Sequence, residues 1–517
     1  VDILTSRGSV SRFVGVAIGL MGLALGPVDG ALGQTSQRWI GPSGGWWDSY
    51  VNWFPGNEPT GSTYTQFLQT GTYAINFRGN GTANTVQAQF GDVTFNLAGY
   101  TLNIQGTGAS DPGLQVGAEP SDNARLTIRQ GTVSAINAGI ADNGYSFGNR
   151  PSGYLGVVGL GARLEVSGDF GVGHTGPGML DVRNGGVVTS TQFGMVAGWI
   201  PGSNGVVRVA DAGSTLMARD MYIGQEGRGR VLVDAGGTLT STRGVIFALT
   251  GTADGLITVR GAGSRWTHTR EQANSQVSIG TAGPGALAVL AGGLFTSDET
   301  VRVKPLGRVH GDGTVAGNVI NDGLVSPGGS YNDATNELTA AGIATLTVQG
   351  TFSQSSTGVL AIDVGAVGAG QHDLLAVSGV AGVAGTLRLT SVNGYAPSVG
   401  DSFVVLTAST VGGSFSTVSG PALPVGLSYL LTYSSTQIVV TIGPTPPVCP
   451  ADLGRQGGLV GSDGHYDNND FVVFISLYFA GDVRADLGRQ GGAAGSDGIL
   501  NNNDFVVFID DFFVGCH

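Results

Sequence analysis

The densest chemistry in the sequence lies near its end. Asp463-Gly464-x-x-Asp467-x-x-Asp470 sets three carboxylates around one glycine. Asp497-Gly498-x-x-Asn501-x-x-Asp504 repeats the arrangement with an amide in the middle place. Calcium takes roughly six to eight oxygens at flexible distances, and short acidic and amide side chains around a tight turn supply them. The glycine permits the turn. The carbonyl of the next residue, His465 or Ile499, points inward, so those two offer backbone oxygen only. The competing reading is an Asx-Gly turn that caps a helix, with Asn469 or Asn503 near its start. Because the spacing occurs twice, we read it as calcium binding.

Both loops belong to a duplication. Ala451-Asp-Leu-Gly-Arg-Gln-Gly-Gly458 returns from Ala485, and Asn469-Asp-Phe-Val-Val-Phe-Ile475 returns from Asn503 at the same offset. Phe471, Phe474, Ile475, Tyr478 and Phe479 have the i, i+3, i+4, i+7, i+8 spacing of one helix face. Phe505, Phe508, Ile509, Phe512 and Phe513 repeat it, so a helix is expected after each loop. The two cysteines, Cys449 and Cys516, bracket the duplication. Export would allow a disulfide between them; otherwise Cys516 stays free or is used in anchoring.

The elements that carry this tail are of another kind. Gly is the commonest residue, 91 of 517, while charged residues make up only 12%, about half the usual share. Few charges with many glycines suggest strands joined by tight corners. The net charge of −13, with no basic cluster, argues against nucleic acid as a partner. Arg7 and Arg12, the apolar run Phe13–Leu25 and Ala31-Leu32-Gly33 read as a signal peptide over 1–33, too short to span a membrane. No later run is long enough to do so, and no membrane span is expected in the mature chain. Residues 34–63 hold Trp39, Trp46, Trp47 and Trp53. They form either a cap over an open sheet edge or a platform for sugars.

From 64 to 443 the sequence repeats. Val172-Gly-His-Thr-Gly-Pro-Gly178, Ile223-Gly-Gln-Glu-Gly-Arg-Gly229 and Ile279-Gly-Thr-Ala-Gly-Pro-Gly285 each lead into a short apolar row and then Gly-Gly. Between them stand units ending Ala212-Gly-Ser214 and Ala262-Gly-Ser264. One unit takes about 25 residues, a solenoid period. Leu180 and Val182, Val231 and Val233, and Leu287 and Val289 alternate as strand residues do. A single unit cannot bury its apolar row, and stacking the next on it does. The expected fold is mainly β: a right-handed parallel β-helix of about fifteen coils, then a Pro-rich linker over 444–448 and a small α-helical domain over 449–517.

These alternating units resemble the passenger regions of autotransporter adhesins. So do Gly311-Asp-Gly-Thr-Val-Ala-Gly317, Leu346-Thr-Val-Gln-Gly-Thr-Phe352 and Gly400-Asp-Ser-Phe-Val-Val-Leu406. The strands of a membrane barrel do not follow them, so the expected route to the surface differs. The duplicated tail resembles dockerin modules, which anchor proteins through cohesin partners. Its spacing is similar to the second half of an EF-hand-type loop, and Gly515-Cys516 resembles a variant used on bacterial surfaces. The resemblance implies Asp452 and Asp486 as first ligands and Asp463 and Asp497 as fifth. It implies Asp467 and Asn501 as ninth, and Asp470 and Asp504 as twelfth. About seven extra residues separate Asp452 from Asp463, leaving Gln456 and Gln490 as stand-ins for the third ligand.

The resulting expectation is a secreted or cell-surface structural or adhesin-like protein, not an enzyme. Its calcium-binding tail engages a cohesin-like or envelope partner, and its solenoid meets surface polysaccharide or extracellular matrix. The alternative is a dockerin-borne polysaccharide lyase or glycoside hydrolase. That would need convergent acids, whereas Asp181, Arg208, Asp234 and Arg260 read as one solvated charge per unit, and His174, His268, His310 and His372 share no spacing.

Overall fold

The computed structural model describes residues 35–106, 113–142, 150–191, 194–273, 275–339, 342–444 and 449–514. The signal segment, linker residues 445–448 and Gly515-Cys516 lie outside the described residues. The chain divides into two units. One runs to Ala396 and includes Ser402–Pro421 and Leu431–Val440. The other comprises Pro397–Asp401, Ala422–Leu430 and the chain from Thr441.

The first unit is a parallel β-solenoid of about 14 turns, and strand at 49% against helix at 7% makes the chain mainly β. Each turn gives one strand to each of three sheets. Phe170 pairs with Met195 and Met195 with Met221, so a turn takes the length read from the repeats. In the second sheet Leu180, Val207, Val231, Ile257 and Leu287 stack in register. In the third, Val188, Leu216, Leu239, Trp266 and Phe295 do the same. All of these are buried. Each such side chain removed from water contributes roughly 1.5–3 kcal/mol, so the alternation read from sequence supplies the core.

The glycines of the I-G-x-x-G-x-G motif have separate tasks. Gly173, Gly224 and Gly280 turn the corner with φ of +65°, +71° and +75°, a region closed to most L residues. Gly178, Gly229 and Gly285 sit on the next strand facing that corner. A Cβ on Gly229 would lie 2.2 Å from the Gly224 nitrogen. They belong to an in-register column: Gly153, Gly178, Gly205, Gly229, Gly255, Gly285 and Gly307.

The second corner explains why two unit types alternate. Where one turn ends in Gly185-Gly186, the next has Gly213-Ser214, and the Ser214 hydroxyl accepts the Gly185 N–H at 3.0 Å. Ser264 accepts the Gly236 N–H at the same distance. Each serine satisfies a donor of the turn before it, and the buried Gly185 N–H would otherwise be left unpaired.

At the start, strand Trp53–Phe54 pairs antiparallel with Thr35–Trp39 at the border of the first sheet. Trp39, Trp47 and Trp53 are buried. Trp53 meets Trp39 and Trp47 edge-on at 5.1 and 5.0 Å, and Trp47 stacks on Phe77. These rings fill the first turns rather than facing out. Trp46, partly exposed, lies under Arg78.

Candidate functional site

Two helices occupy the tail, α1 (Asn468–Ala480) and α2 (Asn502–Val514), one after each loop as expected. The residues inserted between Asp452 and Asp463 form a short hairpin, Gly454–Arg455 against Leu459–Val460. Gly488–Arg489 against Ala493–Ala494 repeats it. Gln456 and Gln490 lie exposed at the hairpin turns. Gly454 is needed for close approach, since a Cβ there would stand 2.3 Å from the Asn469 carbonyl.

The loop acids bond to backbone. Asp452 accepts from the Ser462 hydroxyl at 2.6 Å, Asp463 N–H at 3.0 Å and Gly464 N–H at 2.8 Å. Asp470 accepts from the N–H groups of Leu453, Gly454 and Asp467 at 2.8, 2.7 and 2.9 Å. Asp486 takes the same three kinds of donor from Ser496, Asp497 and Gly498. Asp504 takes Leu487, Gly488 and Asn501. Asp467 caps α1, accepting from Asn469 N–H at 2.7 Å, and Asp470 completes a capping box. Asn501 accepts from Asn503 N–H in the second copy. The capping residue is thus Asp467 or Asn501, and Asn469 and Asn503 lie near the helix starts as expected. Asp463 and Asp497 accept the N–H of His465 and Ile499, both of which are exposed.

Burial raises the Asp470 pKa, the Asp452 carboxylate adds to this, and the backbone donors oppose it. The Ser496 hydroxyl, with backbone donors, holds Asp486 below the usual range. The donor set is all oxygen and mostly anionic, which suits a hard divalent cation. Among the described residues, however, no three His, Cys, Asp or Glu side chains stand close enough to hold one ion. Asp452 and Asp470 are buried, whereas Asp463 and Asp467 are exposed.

The duplicates pack on each other. Phe474 and its copy Phe508 stack with centroids 4.0 Å apart and planes 5° apart. Val473, Val507, Ala451 and Ala485 surround them. The buried faces are therefore Val473, Phe474 and Leu477 on α1, and Val507, Phe508 and Asp511 on α2. Of the faces read from spacing, Phe474, Ile475 and Tyr478 on α1 and Phe505, Phe508, Ile509 and Phe512 on α2 do meet the shared core, whereas Phe479 and Phe513 are 81% and 76% exposed. The helices are apolar nearly all round, so spacing alone could not set where the buried face ends. Cys449 is buried in the shared core; Cys516 lies outside the described residues.

In the solenoid the charges read as solvated are not all so. Asp181 and Asp234 are buried. Asp181 accepts from the Tyr154 hydroxyl at 2.7 Å, and Asp234 pairs with Arg208 and Arg260 at 3.3 and 3.0 Å. Stacking thus sets Asp234 between arginines of the turns before and after it, whereas Asp181 pairs with Arg183 of its own strand at 3.2 Å. The histidines lie on separate turns. His174 pairs with Asp142 at 2.7 Å, His268 bonds Ser241, and His372 donates to the Val404 carbonyl. The His174–Asp142 pair has no signal in sequence spacing. No helix among the described residues is long and apolar enough to cross a membrane. Comparison with protein-family models and with curated proteins finds no match.

Proposed function

We propose that this chain is an exported surface protein in which a structural or adhesin-like solenoid is held in place by the tail. The observation that carries this is the duplicated packing around Phe474 and Phe508. It gives the tail its own core and leaves Phe479 and Phe513, matching positions of the two copies, facing outward. Exposed aromatic side chains presented on paired helices suit a protein partner. The resemblance to dockerins makes that partner a cohesin-like or envelope protein, and the resemblance to autotransporter passengers makes the solenoid the displayed part. Phe479→Ser with Phe513→Ser in the full chain should abolish its retention on the envelope fraction and leave its fold unchanged. Equal retention of the variant would overturn the anchoring role.

Calcium belongs to the same proposal. Asp452, Asp463, Asp467 and Asp470 would hold one ion, with the His465 carbonyl; Asp486, Asp497, Asn501 and Asp504 would hold another, with the Ile499 carbonyl. The ion would neutralise two buried carboxylates per loop and couple its binding to the stability of the tail. Calorimetry should find about two sites per chain. Asp463→Asn with Asp467→Asn, both exposed, should remove one. No binding heat in the folded chain would sink the calcium part while leaving the anchor to be judged by retention. The disulfide between Cys449 and Cys516 is also proposed, and mass analysis of unreduced peptides tests it.

A further inference from the structure

After strand Leu324–Pro327 of the second sheet the chain reaches the third sheet only at Thr345. Between them Ser330–Asn332 pairs antiparallel with Glu337–Thr339. This hairpin lies back over the outer face of the second sheet. There Leu256, Ala288 and Leu290 form an apolar cluster, opposite in alternation to the core row Ile257, Leu287 and Val289, and Tyr331 and Leu338 pack on it.

Three arginines rim this patch. Arg230, only 2% exposed, donates to the Asn336 carbonyl at 2.9 Å and pairs with Asp254 and Glu337. Arg228 donates to the Thr335 carbonyl at 2.8 Å and also pairs with Glu337. Arg260 pairs with Asp333 at 2.9 Å and with Asp234, and lies over the Tyr331 ring. A solenoid turn ordinarily touches only its neighbours. Here Arg230 and Glu337 meet across 107 positions of sequence.

We propose that the Ser330–Thr339 hairpin is a charge-held clasp that ties the second-sheet strands from Arg228 to Pro327 into one unit and keeps an apolar outer face covered. The apolar trio provides the seat and the acid–arginine pairs provide the hold. An Arg buried as deeply as Arg230 is costly once its acids are gone. Glu337 and Asp333 are half-exposed or more, so dissolved salt reaches them. Without the clasp, Leu256 and Leu290 would face water on a sheet otherwise edged with charge.

The test uses the full chain. Hydrogen exchange over residues 330–339 should quicken about ten-fold in Asp333→Asn with Glu337→Gln, while the core strands keep their protection. High salt should quicken the wild type and leave that variant unchanged. Replacement of Ser330–Thr339 by a short Gly-Ser linker should leave the β circular dichroism intact and create binding of an apolar dye. Unchanged exchange in the charge variant, or a linker variant that binds no dye, would overturn the clasp.

Discussion

His268 and His310 sit inside the solenoid, where burial lowers each pKa from 6.5 to about 4. For His310 the nearby Arg308 and Arg388 add to burial. The unfolded chain therefore binds more protons between those values, and stability falls as pH drops through that window. Each histidine accounts for about 3 kcal/mol at the acid end. Asp373 acts in the opposite sense. Burial pushes its carboxyl up to about 7 from 3.8, so the folded chain holds the extra proton and this contribution grows on acidification. Urea unfolding at pH 7.5 and 4.5 should show a smaller loss in His268→Gln with His310→Gln than in the wild type. An equal loss would mean neither ring stays neutral when folded. In the tail, Asp470→Ala removes half of the capping box and the acceptor of three backbone donors, and should cost the tail about 2–3 kcal/mol, measured by its helical melting in chelator. Little of this was legible in sequence. The histidines share no spacing, and their burial comes from the turns stacked above and below them.

Among elements, the corners carry the fold. Gly255→Ala would place a Cβ 2.1 Å from the Ile223 carbonyl oxygen, with no positive φ involved. It should cost about 3 kcal/mol or more by overpacking, whereas Gly244→Ala meets only the Asp220 carboxylate at 3.2 Å and should be mild. Ser214→Ala leaves the buried Gly185 N–H without its acceptor and should cost about 1–2 kcal/mol. Chemical denaturation of the three variants orders them. The I-G-x-x-G-x-G and Gly-Gly signals pointed to these corners, because a left-handed φ and a missing Cβ are local demands that glycine meets most readily, although Ala248 turns the corner equivalent to that of Gly224 at φ +52°. The alternation of Gly-Gly with Gly-Ser was visible as a pattern. Its reason was not, since each serine serves a glycine in the turn before it. Helix existence was legible too, and most of the helix face, but not its edge. Phe474 is inside because Phe508 stacks on it, and Phe479 is outside because its copy is not there.

For the whole solenoid, excision of Phe170–Asp220 brings Met221 into the column position of Phe170 and removes two turns in register. The shortened chain should stay folded, with a β spectrum and helix below about a tenth. Excision of Gly202–Gly251 removes a similar length and takes Arg228, Arg230 and Asp234 with it. That chain should lose the clasp and bind an apolar dye. Equal dye binding by the two shortened chains would show that turns are interchangeable and the hairpin holds nothing.

Short-range chemistry therefore determined much about this protein from the sequence alone. Two-residue alternation dictated strands, glycine spacing dictated corners, the repeat length dictated stacking, and the duplicated Asp-Gly loops dictated paired helices. Each of these is a demand made within a few residues. The tertiary structure decided whatever depends on which distant residue arrives alongside. It set the edge of the helix face around Phe474, turned Asp452 and Asp470 onto backbone N–H groups, buried Asp181 and Asp234 between turns, and seated Glu337 on Arg230. Burial and pairing are set by neighbours that stacking supplies, and no local pattern encodes them.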